Sequence, residues 1–120
     1  MAEQTKEARI KRELDRLKKQ FVKLDGRQKA VASSLIQNAA FMKVTLEDLQ
    51  EIINSEGLIE EYQNGSNQKG VKQSAALQGY NALVKNYTAV LKTLGNMIIQ
   101  SGEEKGATLG DLMADLMSDE

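Results

Sequence analysis

The residues with the clearest chemical potential are cations near the start of the chain. Residues 1–30 contain ten Lys or Arg against five Asp or Glu, whereas residues 101–120 contain one Lys against six acids. Lys and Arg at this density neutralise phosphates, which favours a nucleic-acid surface. The alternative is a solvated helix face with ion pairs such as Glu7–Lys11 and Asp15–Lys19. The candidate DNA contacts are Arg9, Lys11, Arg12, Arg16, Lys18, Lys19, Lys23, Arg27 and Lys29.

The composition argues against an enzyme. The chain has no Cys and no His, which excludes thiolate or imidazole nucleophiles and the metal sites built from them. The glycines of NGSNQKG, residues 64–70, do not form a GxxxxGK[ST] phosphate loop. Acidic clusters at residues 47–51 and 60–61 have the ligand type for Mg²⁺, but exposed helix acids are the commoner explanation. We expect no catalytic residues, no cofactor and no metal.

Helices must position the cations. The chain has no Pro, and only 4% of its residues are aromatic, so the sequence predicts an all-α fold. A first helix is expected from about Thr5 to Leu24, ended by Asp25-Gly26. Its apolar residues follow a narrow heptad stripe: Ile10, Leu14, Leu17, Phe21 and Leu24.

Two further helices are expected before residue 60. One runs from about Arg27 to Lys43, and a capping box at Thr45 opens a second, from Leu46 to Ser55. This pair suggests a helix-turn-helix. However, the second helix offers only carboxylates, Glu47, Asp48 and Glu51, and these would repel DNA phosphates. The basic first helix is therefore the more favourable DNA surface.

A polar segment, residues 64–73, precedes the longest apolar repeat and is predicted to be a linker. Ser74 is expected to cap a helix that runs to about Ser101. Its heptad spacing is typical of a coiled coil and favours self-association, with the first helix as the best partner within the chain. The predicted seam is Leu77, Tyr80, Val84, Tyr87, Leu91, Leu94 and Ile98, and a flanking row of Leu83, Val90 and Met97 would face another copy.

The acidic end of the chain carries a short amphipathic segment. Its apolar residues are Leu109, Leu112, Met113, Leu116 and Met117. A helix this short is unstable alone in water, so it either folds back onto a neighbour, frays, or docks in the groove of a partner protein. Because no apolar run has membrane-spanning length, the sequence predicts a soluble, cytoplasmic protein without a membrane partner.

Three stretches resemble the small terminase subunits of tailed bacteriophages over roughly residues 25–98. They are DGRQKAVASSLIQNAAFMKVTLEDLQEII, GLIEEYQNG and SAALQGYNALVKNYTAVLKTL, with landmarks at Leu46, Leu49, Tyr62, Asn64-Gly65, Ser74, Tyr80 and Tyr87. The resemblance implies a non-catalytic homo-oligomer, a ring in the host cytoplasm. It would bind double-stranded viral DNA and recruit the large terminase subunit, which carries the ATPase and nuclease. Many relatives carry a helix-turn-helix that reads DNA. The acidic residues at 47–51 in this sequence differ from that pattern.

The expected organisation has four parts. Residues 1–63 form a small basic N-terminal helical unit, 64–73 the linker, 74–101 the oligomerisation helix and 102–120 the acidic tail with its docking segment. The alternative function is a structural helical oligomer, a scaffold or protein-interaction module that binds no nucleic acid. Salt dependence separates the two, because phosphate contacts weaken steeply as salt rises.

Overall fold

Four helices and one β-hairpin make up the part of the chain that the computed structural model describes, residues 5–21, 26–63, 65, 69–101 and 109–118. The expected all-α class is confirmed, with the hairpin as an addition. The molecule is elongated, measuring 62 × 35 × 23 Å. In chain order the elements are α1 (Lys6–Lys18) with a 3₁₀ turn (Lys19–Phe21), α2 (Gly26–Glu56), β1 (Ile59–Gln63), β2 (Lys69–Gln73), α3 (Ala75–Ser101) and α4 (Leu109–Met117).

Helix α1 begins where its sequence predicts. The Thr5 hydroxyl accepts a hydrogen bond from the Ala8 backbone N–H at 3.1 Å, which satisfies a donor of the first turn. Regular α-helix ends at Lys18, and the 3₁₀ turn then carries Phe21 into the core, where it is buried. The predicted stop at Asp25 lies outside the described residues.

Helix α2 is continuous over 31 residues, so the predicted break before Thr45 is wrong. Val44 and Leu46, on either side of Thr45, are both buried, and a turn there would expose them. The capping signal at Thr45 therefore does not end the helix, because one long face of α2 packs against the core and also buries Ile36, Ala39 and Ala40. Without the turn, the described residues contain no helix-turn-helix in this region.

The prediction of a polar linker is wrong for residues 69–73, which form the strand β2. This strand pairs antiparallel with β1, from Ile59 opposite Gln73 to Gln63 opposite Lys69. The Tyr62 ring lies against Gly70, where an added Cβ would come within 2.7–2.9 Å of the Tyr62 hydroxyl end, so a larger residue there would displace the ring. Gly57, with φ +92°, ends α2, and Gly65, with φ +79°, lies in the connection between the strands.

Helix α3 starts at the predicted cap. The Leu77 backbone N–H donates to the Ser74 hydroxyl at 3.1 Å, and Ser74 is buried at the junction with the hairpin. Helices α2 and α3 pack side by side, with Leu49 beside Gly79 and the Gln50 amide donating to the Tyr80 hydroxyl at 3.1 Å. The hairpin thus joins two long packed helices.

One buried apolar cluster draws on all four helices, so the predicted unit of residues 1–63 and the predicted oligomerisation helix share a core. Helix α4 packs against α3 at Gly95, where an added Cβ would lie 2.8 Å from the Leu109 Cδ1 and would displace that side chain. No helix in the described part of the chain is long and apolar enough to cross a membrane. The cluster contains Leu17, Phe21, Ala32, Ile36, Ala39, Leu46, Tyr87, Leu91, Leu94, Ile98, Leu112 and Leu116.

Candidate nucleic-acid interface

The cations predicted to bind DNA lie on α1, its 3₁₀ turn and the first turn of α2, and they have different surroundings. Lys23 lies outside the described residues. The rest fall into two groups. Some side chains form hydrogen bonds or ion pairs that join helices, and the others are exposed to solvent. The groups have different capacities for binding phosphate.

Arg9 joins α1 to α2. Its Nη1 donates to Asp48 Oδ1 at 2.7 Å, and its Nη2 donates to Glu47 Oε1 at 3.1 Å. The hydrogen bond to Asp48 raises the pKa of the Arg9 guanidinium above its ordinary value. The carboxylates that disfavour DNA binding by α2 therefore hold α1 in place.

Lys6 reinforces the same junction. Its Nζ lies 3.8 Å from Asp48 Oδ2 and 4.9 Å from the centre of the Phe41 ring, a cation–π distance. Asp48 thus faces two cations of α1. The acidic side chains at 47 and 48 have a structural explanation that requires no metal, and the described residues contain no cluster of three metal-ligating side chains.

Arg16 joins α1 to α4. Its Nε lies 3.1 Å from both carboxylate oxygens of Glu13, and its Nη2 donates to the Leu116 carbonyl at 2.6 Å. Only 16% of the Arg16 side chain is exposed. Leu116 is in the last turn of α4, where carbonyls lack helical partners and a cation is favourable. Arg16 therefore caps α4 and is unsuited to contact with DNA.

The remaining described cations are all exposed, and we refer to them together as the basic surface: Arg12, Lys18, Lys19, Arg27 and Lys29 together with Lys11. Lys11 makes an exposed ion pair with Asp15 at 3.4 Å, in place of the predicted pairs Glu7–Lys11 and Asp15–Lys19. Such pairs contribute little and compete weakly with a phosphate. The other five form no ion pair with any residue that the structure describes.

An open cleft of about 900 Å³ runs along the junction of α1 and α2. Its cations are Arg9, Lys11, Arg12, Arg16, Lys19 and Lys43, and its carboxylates are Glu13, Asp15 and Glu47. Because Arg9 and Arg16 already bond to carboxylates, the cleft interior is largely neutralised. Arg12 and Lys19, which are exposed and form no ion pair with any described residue, are the lining cations most available to a polyanion.

The predicted oligomer seam is divided along its length. Tyr87, Leu91, Leu94 and Ile98 are buried against the chain's own helices, whereas Leu77, Tyr80 and Val84 are half-buried. The flanking row of Leu83, Val90 and Met97 is partly buried and packs against the core. In this conformation only the N-terminal half of the seam leaves area for another copy.

The predicted docking segment folds back onto the chain. Leu112 and Leu116 are buried, Leu109 and Met113 are half-buried, and Met117 is 47% exposed. Of the alternatives open from the sequence, the structure therefore supports packing on a neighbouring helix. A partner that needed Leu112 and Leu116 would have to displace α4 from α3 and α1.

The hairpin was not predicted from the sequence, and it carries exposed apolar side chains. Leu58, Ile59 and Val71 are each more than half exposed. A signal was present in the dipeptide Asn64-Gly65, which is typical of a hairpin turn and lies between the two strands in the sequence. No protein-family model, curated protein or solved structure matches this chain.

Proposed function

We propose that this chain is a non-catalytic DNA-packaging adaptor of the small-terminase kind, which oligomerises, binds double-stranded phage DNA and recruits a large ATPase and nuclease subunit. The observation that carries the DNA-binding part is the exposed basic surface. Although the whole chain has a net charge of −1, its unneutralised Arg and Lys side chains concentrate on α1 and the start of α2. A local field of this kind attracts phosphates whatever the net charge.

The proposed binding is to the DNA backbone rather than to base edges. The basic surface consists of long, exposed Arg and Lys side chains, which suit contacts with phosphates rather than fixed contacts with base edges. Salt-sensitive affinity with weak sequence preference is the expected behaviour. The resemblance in residues 25–98 supplies the biological context, and the heptads of α3 support the self-association.

The test is DNA retention measured over a range of salt concentrations with a charge-matched pair of variants. Lys18→Glu with Lys19→Glu reverses two charges of the basic surface, and Lys85→Glu with Lys92→Glu makes the same net change at exposed positions of α3. We expect the first pair to weaken binding at least tenfold and to flatten the salt dependence, with the control pair near wild type. Equal affinity in both pairs would remove α1 from the DNA-binding surface.

Recruitment of the large subunit is the part of the proposal that depends on α4. Because Leu112 and Leu116 are covered, recruitment through them requires α4 to exchange its contacts with α3 for contacts with the partner. Met117 and the acidic side chains of α4 are the part accessible beforehand. A variant in which α4 is already detached is therefore expected to bind the large subunit more tightly, because the free energy of detaching α4 no longer opposes binding.

A structural oligomer or protein-interaction module without nucleic-acid binding is the second candidate. It is favoured by the roles of Arg9 and Arg16, two predicted DNA contacts that instead hold helices together. It is also favoured by the exposed apolar hairpin. Salt separates the candidates: this alternative predicts no retention of DNA even at low salt, with assembly unchanged.

A further inference from the structure

The β-hairpin has two edges that no other strand of the described residues covers. The sheet consists of β1 and β2, and the Ser74 backbone N–H donates to the Leu58 carbonyl at 2.9 Å, one pair beyond the strands. Hydrogen-bonded and non-hydrogen-bonded pairs alternate along an antiparallel ladder. The backbone groups of Ile59 and Glu61 on β1, and of Val71 and Gln73 on β2, therefore point away from the partner strand. The Gln73 carbonyl accepts a hydrogen bond from the Gln78 side-chain amide at 3.2 Å, and the outward groups of Ile59, Glu61 and Val71 are available to another strand.

Apolar side chains lie beside these open edges. Ile59 is 62% exposed and Val71 is 61% exposed, and their positions in the register place them diagonally on the same face of the hairpin. The other face is occupied by Tyr62 against Gly70 and by the Lys72–Glu60 ion pair at 3.5 Å. An open edge with exposed β-branched residues favours pairing with another chain.

The two strands have opposite charge. β1 contains Glu60 and Glu61 and no cation, whereas β2 contains Lys69 and Lys72 and no acid. Pairing of β1 with β1, or of β2 with β2, would place like charges across the new ladder. Pairing of β2 with β1 places lysines beside glutamates. Charge complementarity therefore selects a second copy of this chain, in one orientation.

We propose that β2 of one copy pairs antiparallel with β1 of the next, so that the hairpins of successive copies form one continuous sheet. In the proposed register, Val71 lies opposite Ile59 of the next copy. The two exposed β-branched side chains are then in contact, and the outward backbone groups of both residues form hydrogen bonds across the new pair. Such a contact is head-to-tail, and it generates a closed ring or an open filament. The proposal rests on the self-association in the proposed function and specifies its surface.

Cysteine cross-linking tests the pairing directly, because the chain has no native Cys that could react with the cross-linker. Ile59→Cys and Val71→Cys chains carrying tags of different length are expressed alone and together, then treated with a short bismaleimide. We expect a cross-linked product only on co-expression, with one tag of each length. Cross-linking of either variant alone would indicate symmetric pairing and overturn the head-to-tail arrangement.

The mass in solution, measured by light scattering on the same samples, separates this proposal from the proposed function. Many subunits per particle without any cross-link would mean that self-association uses another surface, which overturns the hairpin proposal alone. A monomer would overturn both.

Charge exchange is the second test. Glu60→Lys with Glu61→Lys is expected to abolish assembly, and adding Lys69→Glu with Lys72→Glu is expected to restore it by reversing both edges. Glu51→Lys with Glu56→Lys, at exposed positions of α2, is the matched control and should assemble as wild type. Wild-type assembly of the first variant, or failure of the exchanged variant to recover, would overturn the proposal.

Discussion

Ser74 and Thr45 both place a hydroxyl beside helical backbone, with opposite energetic consequences. The Ser74 oxygen accepts the Leu77 N–H and satisfies a donor that the first turn of α3 leaves unpaired. The Thr45 Oγ1 is buried inside α2 and has no hydrogen-bond partner among the residues that the structure describes. A β-branched residue in a helix interior also loses rotamer freedom. Ser74 thus stabilises the fold, and Thr45 is tolerated in it.

Replacing each residue by alanine tests this difference. Ser74→Ala should lower the free energy of unfolding by about 1 kcal/mol through loss of the cap. Thr45→Ala should leave it unchanged or raise it by a few tenths of a kcal/mol, because alanine has the higher helix propensity. Urea denaturation measures both. If Thr45→Ala cost as much as Ser74→Ala, a helix would start at residue 45 after all.

Composition alone predicts that α1 is basic but not what each cation does. Arg9, Arg12 and Arg16 are chemically identical and lie within two turns of one another. Their roles depend on which residues approach from α2 and α4, Asp48 for Arg9 and the Leu116 carbonyl for Arg16. These partners are 39 and 100 residues away in sequence, beyond the reach of local patterns. Periodicity, in contrast, correctly identified the buried Leu17 and Phe21.

At the scale of elements, α4 is held by three features that act together. Leu112 and Leu116 bury its apolar side, Gly95 admits it close to α3, and Arg16 binds the carbonyl of its last turn. A nine-residue helix has little stability of its own, so these tertiary contacts maintain it. Removing the cap should release the end of α4 before the rest of the bundle.

Arg16→Met is the variant that tests this, because it keeps much of the side-chain volume and removes the donors. We expect a loss of about 1–3 kcal/mol in the free energy of unfolding, typical of a charged hydrogen bond to a partly buried group. Amide hydrogen exchange in α4 should accelerate, with exchange in α3 little changed. Lys18→Met, at an exposed position of α1, is the control. Unchanged exchange in α4 would mean that apolar contacts alone hold it.

The elements that the sequence analysis predicted wrongly share a physical cause. A capping box at Thr45 and a polar run at residues 64–73 are local signals, and both were outweighed by contacts made elsewhere. Burial of Val44 and Leu46 keeps α2 continuous, and the Tyr62 ring over Gly70 supports the hairpin. The cap at Ser74 was predicted correctly because the hydrogen bond that defines it is itself local.

At the scale of the whole molecule, α3 serves two surfaces. Toward its C-terminal end it is part of the bundle core, and toward its N-terminal end it meets the hairpin, where apolar side chains remain exposed. The heptad repeat could not separate these roles, since an apolar side chain at a seam position packs equally well against the same chain or a copy. The buried core lies toward the C-terminal end of α3, and the surface that we propose for assembly lies toward its N-terminal end.

Leu94→Ala tests that division. Leu94 is fully buried within the chain, so the substitution should lower the free energy of unfolding by about 2–5 kcal/mol through lost burial and a cavity. The folded protein should keep its wild-type mass in solution, because the hairpin is unaffected. Ile59→Ser, at an exposed hairpin position, should do the reverse: stability near wild type with a smaller particle. Chemical denaturation and light scattering on the same samples give both readings. A folded but smaller Leu94→Ala particle would mean that the C-terminal half of the seam is an interface between copies.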